Sequence, residues 1–347
     1  MLGPGAGRCH AAPRGSWTPH PCRRYLKICG PGCQGDLAVK VLITDEVDES
    51  GVEMLRAAGF EVDYRPQIGR DELLRVIGQY HVLIVRSRTK VTRDVIERGE
   101  RLAIIGRSGV GLDNIDLEAA RARGIEVLNS PEALTNSTAE LALGLMLAAA
   151  RRIAYAHQQL SSGRWAKEES MGYELYGKTL GIVGFGRIGR RLAEIARCMG
   201  MNILAYDIVR PADEDLGRVG ARLVSLEELF ESSDFISIHV TLTPQTRGMI
   251  GEQLLRRAKR SAIIVNTSRG EVFDTAALIK ALKSGWIAGA ALDVYDKEPP
   301  DPSSELLALP NVVHTPHIGA QTYEAQRKSI TMLVEKIINA LRSKGLS

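Results

Sequence analysis

Three short segments carry residues suited to moving a proton beside a carboxylate. They are Asn266-Thr267-Ser268-Arg269-Gly270, the run from Asp293 to Glu298-Pro299, and Thr315-Pro316-His317-Ile318-Gly319-Ala320. Each follows a short apolar run with strand character. In an open α/β sheet, ligands gather beyond the carboxyl ends of the strands. Arg269, Glu298 and His317 are therefore expected to converge. That set suits oxidation of an alcohol beside a carboxylate. The His takes the hydroxyl proton, the Glu orients the His, and the Arg holds the carboxylate and the C2 oxygen. Taken singly, Arg269 could be a surface ion-pair former and His317 a loop histidine, but these readings are the weaker ones. Their joint placement at strand ends carries the reading.

A second motif lies upstream. Gly184-Phe185-Gly186-Arg187-Ile188-Gly189 is G-x-G-x-x-G, set between an apolar run at 179–183 and an amphipathic pattern at 187–199. The glycines permit a tight turn, a close backbone approach to a pyrophosphate, and close helix–strand packing. The helix start supplies free N–H groups for the phosphate. Asp207 ends the next apolar run, about 20 residues on, where the fingerprint places an acid for the adenosine ribose hydroxyls. Its charge repels a 2′-phosphate, so the expected cofactor is NAD rather than NADP. Arg210, three residues later, would soften that preference.

These residues require a scaffold of alternating strands and helices. Strands are expected at 39–44, 82–86, 102–106 and 125–128. After a long helix a second series follows, at 180–183, 202–206, 235–239, 262–266, 289–292 and 312–314. The rhythm implies α/β architecture with two domains. One is a Rossmann-type doubly wound parallel sheet of six strands, and the other is a smaller flavodoxin-like α/β substrate domain. The expected boundaries are 37–135 plus 317–347 for the substrate domain and 136–316 for the dinucleotide-binding domain. Asn136 or Ser137 should cap the long helix, with Ser137 and Glu140 forming a capping box, and the helix should run to about Leu160. A last helix is expected at 322–341.

Composition narrows the class. The chain has 347 residues, 44% of them hydrophobic and 25% charged. No apolar run approaches the ~20 residues of a membrane span. Residues 1–36 read as a disordered basic extension. They hold Arg8, Arg14, Arg23, Arg24 and Lys27 and four of the five cysteines. The net charge of +4 therefore belongs to that extension, and nucleic acid is not an expected partner. Cys9, His10, His20, Cys22, Cys29 and Cys33 fit no zinc-finger spacing, so no metal is expected. One cysteine in the body, Cys198, suits a reducing cytoplasm.

With those residues in place, the body from about Val39 to the C-terminus resembles the D-isomer-specific 2-hydroxyacid dehydrogenase family. The resemblance implies that Arg269, Glu298 and His317 form the catalytic triad and that Asp293 contacts the nicotinamide carboxamide. It implies that Gly184, Gly186, Arg187, Ile188 and Gly189 meet the pyrophosphate. Val240, Thr267, Ser268 and Gly319 would line the cofactor groove.

Within the family, the segments Val85-Arg86-Ser87-Arg88-Thr89-Lys90-Val91 and Gly106-Arg107-Ser108-Gly109-Val110-Gly111-Leu112-Asp113-Asn114 resemble the phosphoglycerate dehydrogenase branch. Arg86, Ser87, Arg107, Ser108 and Gly109 are the expected substrate contacts, and Arg88 and Lys90 are left open as a solvated face. Val110 departs from the Thr of some members. The reaction so implied is 3-phosphoglycerate plus NAD⁺ to 3-phosphohydroxypyruvate, the entry step to serine. The alternatives are a glyoxylate or hydroxypyruvate reductase, which needs fewer cations, and an NAD(H)-sensing corepressor-like protein. Long members add C-terminal serine-binding domains, so feedback by that route is not expected. The resemblance also implies a homodimer through the helix at 137–160, with Leu141, Leu143, Leu145, Met146 and Leu147 at the twofold axis.

Overall fold

The short apolar runs form two parallel sheets in the computed structural model, which describes residues 38–345. The first sheet contains β1 (Lys40–Ile43), β2 (Glu61–Tyr64), β3 (Val82–Val85), β4 (Ile104–Arg107) and β5 (Glu126–Asn129). Its order is β2-β1-β3-β4-β5, the flavodoxin-like arrangement. The second contains β6 (Thr179–Val183), β7 (Asn202–Tyr206), β8 (Arg222–Leu223), β9 (Phe235–Ile238), β10 (Ile263–Asn266), β11 (Gly289–Leu292) and β12 (Val312–His314). Its order, β12-β11-β10-β9-β6-β7-β8, is the doubly wound dinucleotide arrangement with an added strand. The pairings are all parallel. Parallel strands need cover on both faces, which explains why β3, β9 and β10 are buried at every position.

Several sequence expectations change. The second sheet has seven strands rather than six, because the two-residue edge strand β8 is too short to leave a pattern. In the first sheet β2 was not expected, since Glu61-Val-Asp63-Tyr offers only one aliphatic residue. The long helix is two helices, Thr135–Ala150 and Ile153–Ser161. They are parted at Arg152, whose φ of 51° is left-handed. Ser137 does not cap: the helix already begins at Thr135, and the Ser137 hydroxyl donates to the Gly319 carbonyl instead. The expected extension at 1–36 lies outside the described residues.

The last helix, Tyr323–Ser343, is capped by Thr322, whose Oγ1 accepts from the Ala325 N–H at 3.2 Å. It buries Ile330, Leu333, Val334, Ile337 and Leu341 against Val41, Ile43, Leu55, Ile84 and Ile104. The chain thus leaves the first sheet, builds the second, and returns to the first. Both sheets aim their carboxyl ends at one cleft. The order reverses beside β1/β3 and β6/β9, where open α/β sheets bind ligands.

Candidate active site

Beyond β10, the Asn266 side chain is 1% exposed and shapes the turn. Its Oδ1 accepts from the Ser268 N–H at 3.0 Å and the Ser268 hydroxyl at 2.8 Å, and its Nδ2 donates to the Arg269 carbonyl at 2.9 Å. Arg269 therefore projects from a pinned backbone. Beyond β11, Asp293 is fully buried. Its Oδ1 accepts from the Thr315 hydroxyl at 2.7 Å and the Ile318 N–H at 2.8 Å, and its Oδ2 accepts from the Gly319 N–H at 2.8 Å. The structure thus places Asp293 as the anchor of the loop that follows β12.

That loop carries His317 at φ 54°, a left-handed conformation that a side chain with a Cβ seldom adopts. The His317 N–H donates to the Asp293 carbonyl at 2.8 Å, and the Asp293 carboxylate fixes the next two amides. Those bonds offset the local strain. The ring Nδ1 lies 2.6 Å from Glu298 Oε2, while Glu298 Oε1 accepts from the Tyr295 N–H at 3.2 Å. Burial raises the Glu298 carboxyl. The hydrogen bond and charge of His317, the Tyr295 N–H and the charge of Arg269 outweigh it, holding Glu298 below the usual range. Glu298 is thus an anion that fixes one ring nitrogen, leaving His317 Nε2 for a reacting hydroxyl.

The glycine turn fits a dinucleotide. Gly184 has φ 95°, and a Cβ there would stand 2.8 Å from the His239 carbonyl carbon. At Gly189 a Cβ would stand 2.3 Å from the Gly184 carbonyl oxygen. At Gly186 a Cβ would meet nothing within 4 Å, so this edge of the turn faces open space, as the approach of a pyrophosphate requires. Thr267 Oγ1 is buried without a partner and lines the cleft with Ile188, Val240, Ser268 and Gly319. Asp207 Oδ2 accepts from the Phe185 N–H at 2.8 Å, and its Oδ1 accepts from the Val209 N–H at 3.1 Å. Arg210 pairs with Asp213 at 2.9 Å, not with Asp207. Arg187, like Gly184, Gly186, Gly189 and Asp207, does not line the cleft that holds Arg269, and its guanidinium reaches Glu132 at 3.6 Å.

The cleft measures about 360 Å³, and Arg86, Ser87, Arg107, Ser108 and Val110 line its other wall. Burial, then the charges of Arg269 and Arg86, push Arg107 down to about 10. Its Nε is buried without a partner. A cation so placed calls for an anion. Gly109, with φ 143°, does not line the cleft. It stands behind Arg107, where a Cβ would fall 1.2 Å from a guanidinium nitrogen. Arg88 is held by Asp45 at 3.1 Å and by the Thr44 carbonyl, and neither Arg88 nor Lys90 lines the cleft.

Sequence reasoning missed several cleft residues, and four of them bear on the site's polarity. Asp113 takes Arg269, with Nε at 3.0 Å and Nη2 at 2.8 Å from one oxygen, Oδ2. Burial pushes the ring of His239 down to about 4, so it stands neutral, with Nε2 at 2.8 Å from Ser237 Oγ. Gln326 and Ser329 enter from the last helix. Ser329 Oγ lies 2.9 Å from Ser108 Oγ and 2.7 Å from Ser130 Oγ. A serine within the buried stripe of that helix was the one legible signal among the four.

Comparison with known proteins agrees with this geometry. Residues 143–319 match the model described as D-isomer specific 2-hydroxyacid dehydrogenase, NAD binding domain. D-3-phosphoglycerate dehydrogenase of Methanocaldococcus jannaschii is 49% identical over 305 residues, which cover 88% of this chain and 58% of that protein. The chain thus spans little more than half the length of that relative. Hydroxypyruvate reductase of Thermotoga maritima is 46% identical over 304 residues, covering 87% of this chain and 98% of that one. A Thermus thermophilus crystal structure superposes with a TM-score of 0.81 at 37% identity, over 88% of this chain and 97% of that one.

Proposed function

The chain belongs to the D-isomer-specific 2-hydroxyacid dehydrogenase family, and on that premise we propose that it oxidises a small D-2-hydroxy acid at C2, or reduces the matching 2-keto acid, with NAD as cofactor. The single observation that carries the reading is the short His317–Glu298 contact, set in the same cleft as Arg269 and as Ile188, the residue before the last glycine of the turn. His317 Nε2 takes the C2 hydroxyl proton on oxidation and returns it on reduction. Glu298 holds the imidazole in register for that exchange. Arg269 orients the substrate's carboxylate and C2 oxygen. Gly184, Gly186, Ile188, Gly189, Asp207, Val240, Thr267, Ser268, Asp293 and Gly319 would hold NAD, which supplies the hydride acceptor.

The substrate we favour is 3-phosphoglycerate, giving 3-phosphohydroxypyruvate and placing the enzyme at the entry to serine synthesis. Arg86, Arg107 and Arg269 supply more positive charge than one carboxylate needs, and the Methanocaldococcus relative bears the matching name. A reductase acting on hydroxypyruvate or glyoxylate is the second reading. It gains from the engagement of Arg88 with Asp45 and from the placing of Lys90 outside the cleft, which leave fewer cations for a phosphate. NADH formation from 3-phosphoglycerate, glycerate, lactate and glycolate, with hydroxypyruvate and glyoxylate in reverse, decides between them. A kcat/KM for 3-phosphoglycerate below that for glycerate sinks the phosphate reading. Turnover of none of the six sinks the family reaction itself.

The enzyme is further proposed to be a homodimer in the cytoplasm. Leu145 and Met146 do not support that through the helix core, because they are buried within their own subunit. The support lies further along: Ile153, Leu160, Trp165, Met171, Tyr173 and Tyr176 are exposed, Trp165 by 79% and Tyr176 by 77%. So many exposed large apolar side chains within one segment favour an interface there. Sedimentation of the Trp165→Ser, Tyr176→Ser double variant should show monomer where the parent shows dimer. No described helix is long and apolar enough to cross a membrane.

A further inference from the structure

Arg269 belongs to the second sheet, yet its charge partner belongs to the first. Two of its nitrogens donate to Asp113 Oδ2, from a residue 156 positions away in the loop after β4. Its Nη1 donates to the Ser268 carbonyl at 2.7 Å. An ion pair between solvated side chains has little consequence in most settings, and Asp113 is 43% exposed. Here the backbone is shaped to receive the pair. Gly111 has no positive φ to account for it. A Cβ at Gly111 would instead fall 1.8 Å from Arg269 Nη2 and 2.5 Å from Asp113 Oδ2. The glycine leaves a niche whose occupant is the guanidinium from the opposite wall.

The next residue reinforces the niche from behind. Asn114 is 9% exposed, and its Nδ2 donates at 2.7 Å to both the Arg86 and Thr89 carbonyls. One dipeptide therefore fixes two arginines. Asn114 sets the backbone that carries Arg86, and Asp113 reaches across the cleft to Arg269. Without Asp113, a carboxylate that bears on both Arg269 and Arg107 would be lost, and the two like charges repel.

We propose that Asp113, seated through the gap at Gly111, positions Arg269 across the cleft so that its free N–H groups meet the substrate's carboxylate. This rests on the reading of Arg269 as the carboxylate-binding residue. Asp113 is a positioning residue: it touches the arginine, not the reacting atoms. Holding Nε and Nη2 by one edge fixes the plane of the guanidinium, and recognition of a carboxylate depends on that plane.

Oxalate, which offers a carboxylate but cannot turn over, is the probe. Its affinity for the NADH-loaded full-length protein is measured by titration calorimetry in the parent and in Asp113→Asn, Gly111→Ala, Arg269→Ala and the Asp113→Asn, Arg269→Ala double variant. Asp113→Asn keeps the shape and removes the charge. Gly111→Ala keeps the charge and fills the niche. Each should weaken oxalate about tenfold, the loss of one charge-assisted contact, with NADH affinity within about twofold of the parent. In the double variant, Asp113→Asn should add nothing to the loss from Arg269→Ala, because coupled residues are not additive.

Unchanged or tighter oxalate binding in Asp113→Asn overturns the proposal, and tighter binding makes Asp113 a competitor for Arg269. Additive losses in the double variant overturn it too, since they assign Asp113 a role apart from Arg269. Equal losses of NADH and oxalate affinity reduce the niche to general architecture. A parent that binds oxalate but turns over no 2-hydroxy acid fails the proposed function without touching this inference.

Discussion

The two walls of the cleft solve opposite problems. The wall beyond β10, β11 and β12 holds its working groups in place, with Thr267 Oγ1 left without a partner: Asn266 pins its own turn, Asp293 takes one hydroxyl and two amides, and Glu298 takes an amide and an imidazole. The wall beyond β3 and β4 is open. Arg107 is buried with Nε unpartnered, and the charges of Arg269 and Arg86 bear on it. On the proposed function, the groups that act on every substrate are satisfied before it arrives. Groups that choose a substrate are left wanting one. A preorganised wall serves chemistry, and a charged, incomplete wall serves selection.

Four variants test that contrast. His317→Ala strikes the wall beyond β10, β11 and β12 at its working end. It should lower kcat by about 10²–10⁴-fold, while NADH affinity by fluorescence titration stays near the parent value. A kcat near that of the parent removes His317 from the reaction.

Asp293→Ala leaves three donors without their acceptor, the Gly319 amide buried and the Thr315 hydroxyl and Ile318 amide half-buried. It should cost about 3 kcal/mol or more in chemical denaturation, because each donor left unmet costs roughly 1–3 kcal/mol. A loss under about 1 kcal/mol would mean that the loop holds itself.

Arg107→Met works in the other sense. It should raise KM for 3-phosphoglycerate about tenfold or more, with a smaller rise for glyoxylate. Its melting temperature should be no lower than the parent's, since a buried charge exchanged for a well-packed apolar chain is often neutral or stabilising. The parent's pH dependence checks the same residue. A cation with a lowered pKa is present below that value and lost as pH rises through it, so KM for 3-phosphoglycerate should climb as pH approaches about 10. A flat KM through that window, or equal losses on both substrates in the variant, takes Arg107 out of selection.

The smallest effect is expected at Asp207→Ala, where backbone contacts survive in part. NAD affinity should fall several-fold and the NAD/NADP ratio of kcat/KM should narrow, an effect of about 1 kcal/mol. An unchanged ratio would assign cofactor choice elsewhere.

How much of this was legible in the sequence follows the same division. The wall beyond β10, β11 and β12 is local. Arg269, Glu298 and His317 each follow an apolar run, and the glycine turn sits between a strand and a helix, so motif and spacing placed them. Asp113 meets Arg269 across 156 residues, and no local pattern encodes a pairing that only the approach of two sheets creates. The break at Arg152 escaped because both flanks have good helical character, and the left-handed turn between them carries no glycine to announce it. Ser137 was misread for a related reason. A hydroxyl near a helix start has a ready local acceptor role, but a carbonyl 182 residues away claims it.

That last contact has a mechanical consequence. The chain passes between the two sheets twice, once into the helix that starts at Thr135 and once out of the loop that ends at Gly319, and Ser137 and Thr138 both donate to the Gly319 carbonyl. Two tethers fastened side by side leave the halves free to swing about a single axis and stiff against twist. Opening along that axis would separate the walls as a book opens, and closing would return Arg269 to Asp113.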